Sequence, residues 1–142
     1  MDYRKFGNTL MIRMDPGEEV LGTLADLCRR EKIRLGYFSA LGAADVPEIG
    51  VYDVKEQVYH KQEFCGTYEI TSLFGTVSEK DGEVYLHAHL NASGMHGHTI
   101  GGHLNRAVIS GTCEMALTIL DGHAGRRLNP LTGLNDLEFF DE

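Results

Sequence analysis

The stretch Glu83-Val84-Tyr85-Leu86-His87-Ala88-His89-Leu90-Asn91-Ala92 alternates polar and apolar side chains without a break. A period of two belongs to a half-buried strand. Val84, Leu86, Ala88, Leu90 and Ala92 then face a core, and Glu83, Tyr85, His87, His89 and Asn91 face away from it. The two histidines therefore point to the same side. At the usual strand rise their Cα atoms lie about 7 Å apart, close enough for two imidazoles to share one ion.

A third ligand has to come from another segment, and His96-Gly97-His98-Thr99-Ile100-Gly101-Gly102-His103-Leu104 follows after a short loop. His103 is the expected ligand, because Gly101 and Gly102 remove side-chain bulk just before it and let the backbone approach its neighbour. Three neutral histidines with an open fourth position suit a reactive zinc site, whereas structural zinc has four protein ligands. The competing reading is a histidine-rich polar face hydrogen-bonded to ordinary neighbours; the glycine pair before His103 favours the metal. His96 and His98 read as loop residues, and His60 and His123 stand alone.

Outward from this strand, Lys80-Asp81-Gly82 has the chemistry of a tight hairpin turn, since Asp-Gly adopts positive φ readily. Further strands are expected at 9–14, 34–41, 49–54, 58–64, 68–78 and 108–120, joined mainly antiparallel. Residues 43–47 and 93–97 read as loops, and the tail from Asp121 as irregular, ending in surface charge at Asp141-Glu142. One helix is predicted after Asp15-Pro16-Gly17-Glu18, with Asp15 as cap and proline in the first helical position. Val20, Leu21, Leu24, Leu27 and Cys28 make a single buried stripe, so this helix should cover one face of the sheet. The expected class is α+β: a mainly antiparallel sheet with one principal helix, in a single domain spanning 1–142.

In 108–120, Ile109, Cys113, Met115, Leu117 and Ile119 share the core face, which leaves Glu114 on the opposite one. If the sheet is continuous, Glu114 shares the histidines' face, where it could accept a proton from metal-bound water or orient a ligand histidine; the plainer reading is a solvent-facing or interface carboxylate. Arg126 and Arg127 could fix an anion near the site, or be a solvated basic pair.

The chain has 142 residues, 42% of them hydrophobic and 24% charged, ordinary proportions for a packed domain. No apolar run is long enough to span a membrane, and the start Met1-Asp2-Tyr3-Arg4-Lys5 is not followed by the apolar block of a secretion signal, so a cytoplasmic location is expected. Cys28, Cys65 and Cys113 are odd in number and widely spaced, which reads as reduced core thiols. A net charge of −8 with scattered basic residues disfavours unaided nucleic-acid binding. There is no glycine-rich phosphate loop, dinucleotide fingerprint or serine-hydrolase elbow.

Taken together, Arg13-Met14-Asp15-Pro16-Gly17-Glu18-Glu19-Val20, Ser39-Ala40-Leu41-Gly42-Ala43, Tyr68 to Thr76, Leu86-His87-Ala88-His89-Leu90 and Gly101-Gly102-His103-Leu104 resemble the plant and prokaryote conserved (PPC) domain in its prokaryotic stand-alone form. The resemblance covers nearly the whole chain. It implies an antiparallel sheet with one main helix, assembly as a homotrimer, and a metal site at His87, His89 and His103. The family's DNA-binding label is tied to plant members with a separate AT-hook, and this chain has no Arg-Gly-Arg-Pro core. The fold also looks related to acetolactate decarboxylase, which holds zinc with a similar His-x-His and Gly-Gly-His pattern.

Three functions follow as expectations. The first is a trimeric zinc-binding module for ligand sensing, partner interaction or regulation, with water or a small anion at the open position. The second is a zinc enzyme acting on a small carboxylate or carbonyl compound, with Glu114 moving a proton. The third is a DNA-associated regulatory protein. Imidazole ligands suit several divalent metals, so the residues alone do not select zinc.

Overall fold

In a computed structural model that describes residues 1–140, the chain runs β1 (Asp2–Phe6), β2 (Thr9–Met14), α1 (Val20–Glu31), β3 (Gly36–Asp53), β4 (Val58–Glu63), β5 (Thr67–Lys80), β6 (Glu83–Gly94), β7 (Thr99–Ile119), β8 (Gly125–Leu128) and β9 (Asn135–Glu138). Asp141 and Glu142, read above as surface charge, lie outside the described residues. Strand makes up 65% of the chain and helix 11%, so the α+β class with one helix is what forms.

The first seven strands make one sheet in the order β1-β2-β7-β6-β5-β3-β4, and β7 pairs with β3 as well. Since β3 pairs with β5, β5 with β6, β6 with β7 and β7 with β3, these four strands form a closed circuit with few free edges. Its interior is apolar. Ala88, Leu90 and Ala92 of β6 are buried, with Val84 and Leu86 packed against them, as the alternation predicts. Ile109, Cys113, Met115 and Leu117 of β7 join the same core.

Val20, Leu24, Leu27 and Cys28 bury the helix stripe against that core. The helix starts later than its sequence suggests. Glu19 is the cap, accepting hydrogen bonds from the backbone N–H groups of Leu21 and Gly22 at 3.1 and 2.6 Å. Asp15 and Pro16 belong to a turn before it, in which the Glu18 carboxylate accepts from the Asp15 N–H at 2.7 Å. The reach-back of a capping box is therefore present, displaced upstream of the helix because Glu19 occupies the cap.

The Asp81-Gly82 turn forms with both residues at positive φ, 53° and 81°, and brings Lys80 opposite Glu83. Residues 43–47, expected as a loop, remain in β3. Register shifts against β7 between Gly42 and Ala44 and between Asp45 and Glu48 absorb the extra residues as bulges, with Val46 at φ 46°. The tail is ordered too: β8 and β9 pair as a small hairpin. Cys28 and Cys113 are buried core thiols as expected, but Cys65 is exposed just after β4.

Candidate metal centre

His87 and His89 stand on the outward face of β6, and β7 brings His103 directly opposite His89. On its other side His103 pairs with Gly50 of β3, so it is held between two strands. The glycines explain the approach. A Cβ on Gly102 would sit 2.7 Å from the Gly50 carbonyl oxygen, and one on Gly101 would strike the Asn91 side chain. Only the absence of a side chain lets β7 lie there.

One ring nitrogen from each of the three histidines falls within 4.8 Å of the other two, with His87 Nε2 and His89 Nε2 3.2 Å apart. The ring centroids are 5.1 to 5.6 Å from each other. An ion with zinc–nitrogen bonds of about 2.0–2.1 Å in tetrahedral geometry spaces its ligands by roughly 3.4 Å, so the group fits after small rotations. The surroundings also favour the neutral form of two of the rings. Burial, then the neighbouring His103, His89 and Arg126, lower the His87 pKa from 6.5 to about 4, and burial followed by His89 lowers that of His103. Neutral imidazoles are the form that binds metal.

The histidines line a cavity of about 720 Å³, together with Tyr59, Tyr85 and Arg126 among others. That is the size range of small-molecule sites. The Tyr59 ring stands edge-on to His103 at 6.0 Å, and its hydroxyl lies 2.8 Å from Asn105 Nδ2. Tyr85 was legible from the alternation of β6, which puts it on the histidines' face. Tyr59 and the walls supplied by β9 were not, because they arrive from strands distant in sequence.

The other sequence candidates divide. Arg126 reaches the cavity from β8, while Arg127 is exposed and ion-pairs with Glu138. His96 sits at φ 70° in a short 3-10 turn, and His98 packs edge-on to Tyr68 at 5.6 Å; neither joins the three-histidine group. His60 is exposed on β4, and His123 stacks on Phe140 at 5.1 Å.

Glu114 lies elsewhere on the sheet. It is exposed, paired in register with Arg13 on β2 and Leu41 on β3, and it lines a separate cleft with Tyr3, Arg4 and Arg13. It shares the outward face of the sheet, but it lies eleven residues beyond His103 along β7, and the cross-strand path from His89 through Phe74 and Ser39 meets β7 at Ala116 rather than at Glu114. It does not line the histidine cavity. Within one chain Glu114 does not reach the histidines.

A protein of Bacteroides thetaiotaomicron, assigned provisionally to DNA binding, superposes with a TM-score of 0.94 at 27% identity, over 97% of this chain and 96% of its own. A metal-containing protein of Archaeoglobus fulgidus matches with a TM-score of 0.86 at 31% identity, over 95% and 96%. A plant- and prokaryote-conserved protein of Pyrococcus horikoshii matches at 0.86 and 28%, over 99% and 97%. No curated protein matches the chain in sequence. The family model of the Plants and Prokaryotes Conserved domain matches residues 1–121, a span that contains all three histidines. With that match over most of its length, and the same fold in these relatives, the chain belongs to the Plants and Prokaryotes Conserved domain family.

Proposed function

We propose that this chain is a homotrimeric zinc-binding protein that takes a small anion beside its metal and works as a ligand-sensing or regulatory module. The observation that carries the reading is the convergence of His87, His89 and His103, three imidazoles with ring nitrogens within 4.8 Å of one another, on the wall of a cavity large enough for a ligand. A bound ion would supply Lewis acidity to an oxygen donor at its open position. The rest is the chain's own: the sheet holds the three rings, and the cavity admits the ligand. That the similar Archaeoglobus fulgidus protein is described as metal-containing supports the same reading.

Trimer formation is supported by the outward face of the sheet. Met11, Tyr37, Leu41 and Phe74 are 46%, 53%, 56% and 61% exposed there, and the register puts Phe74 next to His89. A patch of large apolar side chains on one face marks a surface for association, here with further copies of the chain. Cytoplasmic residence is part of the proposal, in keeping with three free cysteines.

The enzyme reading is weaker because its proton carrier, Glu114, stands apart from the histidines. Direct DNA binding is weaker still. The net charge is −8, and Arg4, Arg13, Arg29, Arg34, Lys61 and Arg127 are engaged with carboxylates. A phosphate backbone needs free positive charge.

Metal content by mass spectrometry on untagged protein, read beside the oligomer mass, tests the proposal. Zinc should co-purify or load stoichiometrically, be lost in His87→Ala, and accompany a mass three times 15.7 kDa. A native chain that stays metal-free after zinc addition refutes it.

A further inference from the structure

Arg126 is half-buried in the wall of the histidine cavity, and its guanidinium is held from three directions. Its Nε donates to Ser78 Oγ at 2.9 Å, one terminal nitrogen to the Asn135 carbonyl at 3.3 Å, and the other to Thr76 Oγ1 at 3.1 Å. The plane also lies over the Tyr85 ring, 4.9 Å from its centroid. A guanidinium carries five N–H donors, so these contacts leave one free on each terminal nitrogen. No carboxylate among the described residues ion-pairs with it, whereas Arg127 beside it is paired with Glu138.

A held guanidinium with one N–H left on each terminal nitrogen suits an anion with two oxygens. Its position relative to the histidines follows from the register. Thr76, which anchors one end of the fork, stands directly opposite His87 across β5 and β6, so fork and histidine cluster are neighbours on one face. The walls of the same cavity also include Val51, Tyr52, Leu134 and Leu137, surfaces that suit a carbon skeleton rather than a bare inorganic ion.

We propose that the cavity binds a small carboxylate carrying a second oxygen donor, with the carboxylate in the fork of Arg126 and the second oxygen turned toward the three-histidine centre. The inference rests on the metal-binding reading above and deepens it by naming the ligand class. Arg126, Leu134, Asn135 and Leu137 all come from β8, β9 and the link between them, beyond residue 121 where the family model ends. This hairpin is therefore the part of the chain that selects among ligands, while the large sheet supplies the histidines that would hold the metal.

Calorimetric titration of the zinc-loaded full chain with malonate, succinate and glutarate tests this, with propionate and inorganic phosphate as controls. At least one dicarboxylate should bind, and propionate, with no second donor, about tenfold or more weaker. Arg126→Ala should lose about tenfold or more in dicarboxylate affinity at unchanged zinc content; Arg126→Lys, which keeps the charge without the fork, should recover only part of it. Native zinc content shows that each variant has folded, and if Arg126→Ala does not fold, Arg126→Lys carries the comparison. Equal affinity in the arginine variants, no dicarboxylate binding, or phosphate bound as tightly as the best dicarboxylate would overturn the assignment. Failure of the underlying metal reading shows itself separately, as a native chain that takes up no zinc.

Discussion

The two ends of β7 carry similar sequence signals and reach different outcomes. Near its start, His103 lies between His89 and Gly50, and three imidazoles converge. Near its end, Glu114 lies between Arg13 and Leu41, in a shallow cleft on the protein's outer surface. Both residues are polar side chains on the outward face of one strand, flanked by buried neighbours: Leu104 in one case, Cys113 and Met115 in the other. The difference lies in what the adjoining strands place beside them. Alternation fixes which way a side chain points, but a site requires several strands to aim at one spot, and that is a property of register.

The contrast can be broken first at the histidine end. His103→Ala should cost more metal affinity than the 10–100-fold typical of changes around a metal's ligands, because it removes a ligand itself; competition with a chromophoric chelator measures it. Retained affinity would mean that the histidines are only a polar face. Gly102→Ala sharpens the same point without touching a ligand. Its Cβ would meet the Gly50 carbonyl at 2.7 Å, so β7 must shift away from β3. Overpacking of this kind costs about 1–3 kcal/mol, a fall in Tm of roughly 2–10 °C, and zinc binding should weaken with it.

A pH series on metal-free protein probes the histidine end more gently. The folded chain holds His87 with a pKa near 4, against 6.5 for the unfolded chain. Between those values the unfolded state binds more protons, so stability should rise with pH there and fall as the solution is acidified. Thermal melts at pH 7.5, 6 and 5 should show the decline, and His87→Gln should flatten it. The smallest effect belongs to the other end of β7. Glu114→Ala, an exposed change, should alter stability by no more than about 0.5 kcal/mol and leave zinc content as it was. Lost zinc in Glu114→Ala would erase the distinction between the two ends.

Much of this was readable before the fold. The alternation in 83–92 gave the facing of His87 and His89, Gly101-Gly102 marked the close approach beside His103, and Asp81-Gly82 placed the hairpin. What misled was local too. Ala43 to Pro47 has turn-like composition, yet it stays in β3 because bulges take up the irregularity. The residues beyond Asp121 looked unstructured because a four-residue strand is too short to show a period, and they nonetheless form the hairpin that carries Arg126.

The sequence by itself determined the faces of the strands, the stripe of the helix and the chemistry of three histidines, since each depends on a repeat of two or 3.6 residues or on the nature of a side chain. Only the tertiary structure decided who meets whom. It set His103 against His89, carried Arg126 to the cavity and left Glu114 apart, because pairing between strands far apart in sequence is fixed by the packing of the whole sheet and leaves no mark in any one segment.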